Sequence, residues 1–86
     1  MRELERLLKT LANQRRLAII KYLKRKKEAS VGEIAREIHL SLKATSKHLG
    51  LLSARDIVEK EQRSLSVYYR LVLKQEPLVK YILAYF

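Results

Sequence analysis

The sequence predicts a mainly α-helical domain carrying a small β-hairpin, and three observations predict it. Four stretches between Arg2 and Ala54 repeat apolar residues at helical spacing, residues 57–71 turn to β-branched and aromatic types, and an apolar segment follows Pro77. With 86 residues, 48% of them hydrophobic, two glycines and one proline, the chain reads as one domain over residues 1–86, ordered nearly end to end. At this size folding removes about 60–65% of the chain's surface from water, so a lone protomer has a thin core and gains from self-association.

Leu4, Leu7, Leu8 and Leu11 recur at i, i+3, i+4 and i+7, giving an amphipathic helix over residues 2–11 whose stripe needs a partner. Asn13 is a suitable N-cap for a second helix to about Lys26, with Leu17, Ile20 and Leu23 inward. The run Lys24–Lys27 closes it, where cations oppose the negative end of the helix dipole. Ser30-Val31-Gly32-Glu33 has the spacing of a capping box and opens a short third helix, Val31 to Ile38, with Ile34 and Ile38 inward. Ser41 caps a fourth, Leu42 to Ala54, burying Thr45, Leu49 and Leu52. Two strands follow, Ile57–Glu61 and Ser66–Leu71, joined by a loop from Gln62 to Leu65. In the second strand Val67, Tyr69 and Leu71 alternate inward against outward Tyr68 and Arg70. Pro77 suits the first turn of a last helix, about Glu76 to Phe86, which is apolar almost all round.

Lys and Arg number 19 against nine acids, a formal charge of +10 concentrated in the first thirty residues, which attracts polyanions and nucleic acid first among them. The absence of cysteine excludes disulfides, thiolate metal sites and thiol redox switches. No apolar run reaches the roughly 18–20 residues that span a bilayer. The opening MRELERLLKT is charged and amphipathic rather than a signal peptide, so a soluble, cytoplasmic protein without a membrane partner is expected.

The third and fourth helices, joined across His39-Leu40-Ser41, form a helix-turn-helix, whose second helix is built to lie in a major groove of double-stranded DNA. Packing through Ile34, Ala35, Ile38, Leu40, Thr45 and Leu49 sets the crossing, and Lys43, Ser46, Lys47 and Gly50 are left as an outward stripe. The cations and hydroxyl of that stripe can reach phosphates or base edges. The hairpin directly behind is a wing, so the expected fold is a winged helix-turn-helix of five helices plus a two-stranded wing, dimeric. The expected DNA-binding residues are Ser41, Leu42, Lys43, Ser46, Lys47 and His48, with Gln62, Arg63 and Ser64 on the wing.

The segment Leu11 to Ile20, the run Val31-Gly32-Glu33-Ile34-Ala35, the set Leu40-Ser41, Ser46, His48-Leu49 and Leu52, and the strand Val67–Leu71 stand in an order and spacing that resemble the ArsR family of winged-helix transcriptional repressors. The resemblance covers nearly the whole chain. It implies a homodimer built by the first and last helices, with two recognition helices facing successive major grooves of a partly palindromic operator. The apolar residues available for that interface are Leu4, Leu7, Leu8, Leu11, Leu78, Ile82, Leu83, Tyr85 and Phe86. Two segments depart from the family pattern: Leu42-Lys43 replaces a Gln-Pro-type start of the recognition helix, and Ser64 stands where the wing has glycine.

Metal-sensing members of that family use cysteines in the third helix, where this chain has Ala29, Ser30 and Val31. They also use Asp and His in the last helix, where residues 75–86 offer Glu76 alone. No metal, no cofactor and no metal sensing are therefore expected. Of the two histidines, His39 suits a left-handed backbone, and His48 suits phosphate contact or packing. Ser46 and His48, at i and i+2, do not face each other as a nucleophile and base would, so an enzyme is not expected. The reading is a sequence-specific DNA-binding regulator, a repressor on a palindromic operator. The alternatives are an architectural DNA binder with low sequence specificity and a winged-helix protein-interaction module.

Overall fold

A computed structural model describes residues 1–86, running α1 (Arg2–Leu11), α2 (Gln14–Lys26), β1 (Glu28–Ser30), α3 (Val31–Glu37), α4 (Leu42–Ala54), β2 (Val58–Arg63), β3 (Ser66–Leu71) and α5 (Pro77–Tyr85). The caps expected from the sequence are in place. Asn13 accepts from the Arg16 N–H at 3.0 Å and Ser41 Oγ accepts from the Ala44 N–H at 3.1 Å. The last helix adds a cap not foreseen, Glu76, which accepts from the Leu78 N–H at 3.0 Å. Ser30 and Glu33 form the reciprocal capping box, at 3.2 Å from the Glu33 N–H to Ser30 Oγ and 2.8 Å from the Ser30 N–H to Glu33 Oε1. The backbone N–H of Ser30 holds the Glu33 carboxyl below its ordinary range.

The core gathers Ile19, Ile20 and Leu23 of α2, Ile34 of α3, Leu49 and Leu52 of α4, Val58 and Tyr69 of the sheet and Val79 of α5. Helix α4 ends in a Schellman motif, with Asp56 left-handed at φ 57°, the Ile57 N–H donating to Leu52 O and the Asp56 N–H to Ser53 O. Ile57 and Leu52, both fully buried, supply the apolar contact of that motif.

Three features differ from the expectation. Glu28–Ser30 forms a third strand, antiparallel to β3, so the sheet order is β1-β3-β2 rather than a two-stranded hairpin. Ala29, opposite Tyr69, is buried by this pairing. The hairpin is also longer: β2 runs through Arg63, which pairs with Ser66, and the turn shrinks to Ser64-Leu65. Ser64 has φ 55° at the first central position of that turn, where glycine is the unstrained residue. Finally, the leucine stripe of α1 divides. Leu7 and Leu11 are buried in the protomer core, whereas Leu4 and Leu8 remain exposed.

Candidate nucleic-acid interface

The α3–α4 crossing determines what α4 shows to solvent. Ile34 and Ala35 of α3 and its C-cap Ile38 are buried, as are Thr45 and Leu49 of α4, and the chain turns between the helices through His39 at φ 55°. Arg15 reinforces the turn from α2, donating from Nη1 to the Ile38 and His39 carbonyls at 2.6 and 3.2 Å. These carbonyls sit at the C-terminal end of α3, where a cation also meets the negative pole of the helix.

With Thr45, Leu49 and Leu52 turned inward, Ser41, Leu42, Lys43, Ser46, Lys47 and Gly50 are exposed on the other side. No acidic residue occurs between Glu37 and Asp56, so this face is cationic without internal compensation. Ser41 is committed through its hydroxyl to capping, and Leu42 is 60% exposed at the first turn beside Lys43. Neither Lys43 nor Lys47 makes an ion pair.

His48 lies at the edge of this face, half-buried, with Nδ1 at 3.1 Å from Arg16 Nη1. Burial, and then the charges of Arg16, Arg15 and Lys47, hold the imidazole below its ordinary value, so it is neutral at pH 7 and accepts from Arg16. Arg16 also donates from Nε and Nη2 to the Thr10 and Lys9 carbonyls, at 2.5 and 3.3 Å. One guanidinium thereby joins the end of α1 to the recognition helix. Sequence reasoning missed this role, because local spacing carries no signal of a contact made over so long a separation.

On the wing, Gln62, Arg63 and Ser64 are exposed, but they do not act together. Arg63 pairs with both carboxylate oxygens of Glu28 at 2.6 and 2.8 Å and with Glu61 at 3.2 Å, and its guanidinium stacks 4.7 Å from the Tyr68 ring centroid. This hydrogen bonding raises its already high pKa and lowers those of Glu28 and Glu61. Arg70 closes the network on Glu59 and Glu61, both at 2.9 Å. Gln62 donates to the Ser64 carbonyl at 3.0 Å. Lys60, absent from the residues expected on the wing, lies opposite Tyr69 on the core-facing side of the sheet and is exposed. Carrying the period of two onward from Val58 finds it.

Of the residues expected at a dimer interface, Leu8, Leu11, Ile82, Tyr85 and Phe86 come together along one groove, whereas Leu7 belongs to the protomer core and Leu4 lies outside that groove. Leu78, Ile82 and Leu83 of α5 pack partly on the protomer core, whereas Tyr85 and Phe86 are 90% and 39% exposed. Leu8, Leu11, Ala12 and Leu17 face Tyr81, Ile82, Tyr85 and Phe86 across a wholly hydrophobic groove of α1, α2 and α5. No helix is long and apolar enough to cross a membrane, and no three His, Asp or Glu side chains come together as a metal site would require.

Residues 11–61 match the family model described as a helix-turn-helix domain. The transcriptional activator HlyU of Vibrio cholerae is 40% identical over 65 residues, 76% of this chain and 59% of that protein. The chain spans between 50% and 59% of the length of the curated relatives it matches. Among solved structures, NolR from Sinorhizobium fredii superposes with a TM-score of 0.82 at 30% identity, covering 98% of this chain and 81% of that one. Mb0332 from Mycobacterium bovis, described as the homodimeric winged helix-turn-helix DNA-binding domain of a possible ArsR-family regulator, gives a TM-score of 0.80 at 30% identity, covering 96% and 73%. The chain belongs to the helix-turn-helix domain family and, within it, to the ArsR-type winged helix-turn-helix proteins.

Proposed function

We propose that this protein is a sequence-specific double-stranded DNA-binding transcriptional regulator, a repressor that binds a palindromic operator as a homodimer. The observation that carries the reading is the outward face of α4. Its first two turns present Lys43, Ser46 and Lys47, unpaired by acids, on a helix held by the α3 crossing in the manner of a recognition helix. Homodimerisation is supported by the apolar groove between α1 and α5, which has the composition of a buried interface core. A dimer seated on two successive major grooves occupies the duplex that a polymerase would need, which is the physical basis of repression.

Selection of bound duplexes from a random pool tests the proposal. A defined inverted repeat with half-sites about 34–36 Å apart is expected. Lys47→Ala should then reduce binding to the selected duplex. Base reading by Lys47 flattens discrimination at one position per half-site, and phosphate contact shrinks the salt slope instead. Uniform affinity for all duplexes would establish the architectural reading, which the charge gathered in α1 and α2 favours. Absence of salt-dependent duplex binding would leave a protein-interaction module.

A further inference from the structure

We infer that Arg63 is not a DNA ligand but the brace that sets the angle of the wing, and that the wing meets DNA through Lys60, Gln62 and the apolar tip Leu65. This rests on the DNA-binding reading and assigns the wing residues of that same surface. Cross-strand register divides the hairpin into two faces. Arg63 shares one with Glu61, Glu59, Tyr68, Arg70 and Glu28, the side turned away from the helices. Lys60 and Gln62 share the other with Val58, Val67 and Tyr69, the side that packs on the helices nearer its base. Because α4 packs on β2 and this second face is the one turned to the helices, a duplex seated on α4 is nearer to it than to the Arg63 face.

The bonding of Arg63 agrees with that division. Its pairing with Glu28 is bidentate and charge-assisted, the geometry in which a guanidinium is hardest to recruit elsewhere. Glu28 pairs with Arg70, well down β3 from the Arg63–Ser66 pair at the tip, and it stands across β3 from β2. The ion pair is therefore a diagonal tie from the tip of the wing to the strand that leaves α2. Releasing Arg63 to a phosphate would leave the Glu28 carboxylate unpaired and Glu61 with Arg70 alone, adding repulsion near the same contact. At the tip, Leu65 is 98% exposed with nothing of its own protomer to cover it. An exposed leucine on a projecting hairpin has the form of the apolar wedges that enter a minor groove beside a base step.

The test is duplex binding by fluorescence anisotropy at several salt concentrations. The full chain is compared with Arg63→Ala, Arg63→Lys, Glu28→Gln, the Arg63→Ala/Glu28→Gln double variant, Lys60→Ala and Leu65→Ala, with Lys47→Ala as the recognition-helix control. Circular dichroism melting of each variant verifies folding. As a brace, Arg63→Ala, Arg63→Lys and Glu28→Gln should each weaken binding by a similar factor, roughly 3- to 10-fold, with the salt slope unchanged and no further loss in the double variant. Lys60→Ala should shrink the log–log salt slope by about 0.9 for each phosphate that Lys60 neutralises. Leu65→Ala should weaken binding without changing that slope. The inference is overturned if Arg63→Ala shrinks the slope while Arg63→Lys restores it and Glu28→Gln binds as well as wild type, for Arg63 is then a phosphate ligand. It is equally overturned if every wing variant binds as wild type while Lys47→Ala does not. If wild type binds no duplex, the DNA-binding reading itself has failed.

Discussion

Replacing Thr45 by valine should make this protein more stable. Thr45 is fully buried in α4, facing α3, and its Oγ1 has no hydrogen-bond partner. A buried hydroxyl without a partner costs about 1–3 kcal/mol relative to its hydrated state. Valine keeps the β-branched shape and has nearly the same helix propensity, so little is lost in exchange. The slightly larger methyl offsets part of the gain in a packed site. The net expectation is a stabilisation of about 1–2 kcal/mol, and Tm rises by roughly 4–8 °C for each kcal/mol in a domain of this size. Thermal and urea unfolding of Thr45→Val, Thr45→Ser and Thr45→Ala, followed by circular dichroism at one fixed protein concentration, checks it. Serine and alanine should both fall below wild type, since each removes the packed methyl. Duplex affinity should be the same for Thr45→Val and wild type, because the side chain points away from Lys43 and Lys47. A valine variant no more stable than wild type would refute the reasoning, since the hydroxyl would then have a partner worth as much as the methyl.

His48 should titrate below 6.5 by NMR, because burial and the neighbouring cations disfavour its charged form. The unfolded chain then takes up a proton that the native state refuses, so this contribution to stability is complete above about pH 6.5 and is lost as pH falls through the folded value. A midpoint at or above 6.5 would contradict that, and Arg16→Met should move the midpoint upward. Leu8→Glu with Tyr85→Glu should give folded monomers by sedimentation, since both side chains are exposed in the protomer; an unchanged sedimentation coefficient would place the interface elsewhere. Zinc, cadmium or arsenite added after chelation should leave duplex affinity unchanged, and release near stoichiometric ion would reveal a ligand set that forms only on binding.

What is legible in the sequence is local, and what is not is long-range. Ser41 as cap and the Thr45, Leu49, Leu52 repeat define α4 within a single stretch of chain, and the structure has the same bounds. His39 in a left-handed turn is likewise a local matter of one residue's tolerance. Strand β1 is three residues long and exists because Tyr69, forty residues later, presents an edge beside Ala29; no period of two can be recognised in so short a run. The division of the α1 leucines also depends on the third dimension. A stripe at i, i+3, i+4 and i+7 says that one side is apolar, but the position of α2 decides that Leu7 and Leu11 enter the protomer core. Ending β2 at Glu61 misplaces Arg63 for the same reason. Two more residues of pairing turn a loop cation into a strand residue whose neighbours are carboxylates.

Around the recognition helix and the wing the two cationic residue types are used differently. Arginine's planar fork matches carboxylates and backbone carbonyls, and here Arg15 and Arg16 fasten α2 to the α3–α4 turn and to α1, while Arg63 and Arg70 hold the outer face of the sheet. Lysine is a hydrated point charge on a flexible stem, and Lys43, Lys47 and Lys60 make no ion pairs. These four arginines thus hold the frame, while these three lysines keep their charge uncompensated at the surface. On the proposed DNA-binding reading, the salt dependence of duplex binding should shrink when Lys43, Lys47 or Lys60 is removed. Loss of Arg15, Arg16 or Arg63 should instead lower affinity with that slope unchanged, by loosening the geometry in which those lysines are presented.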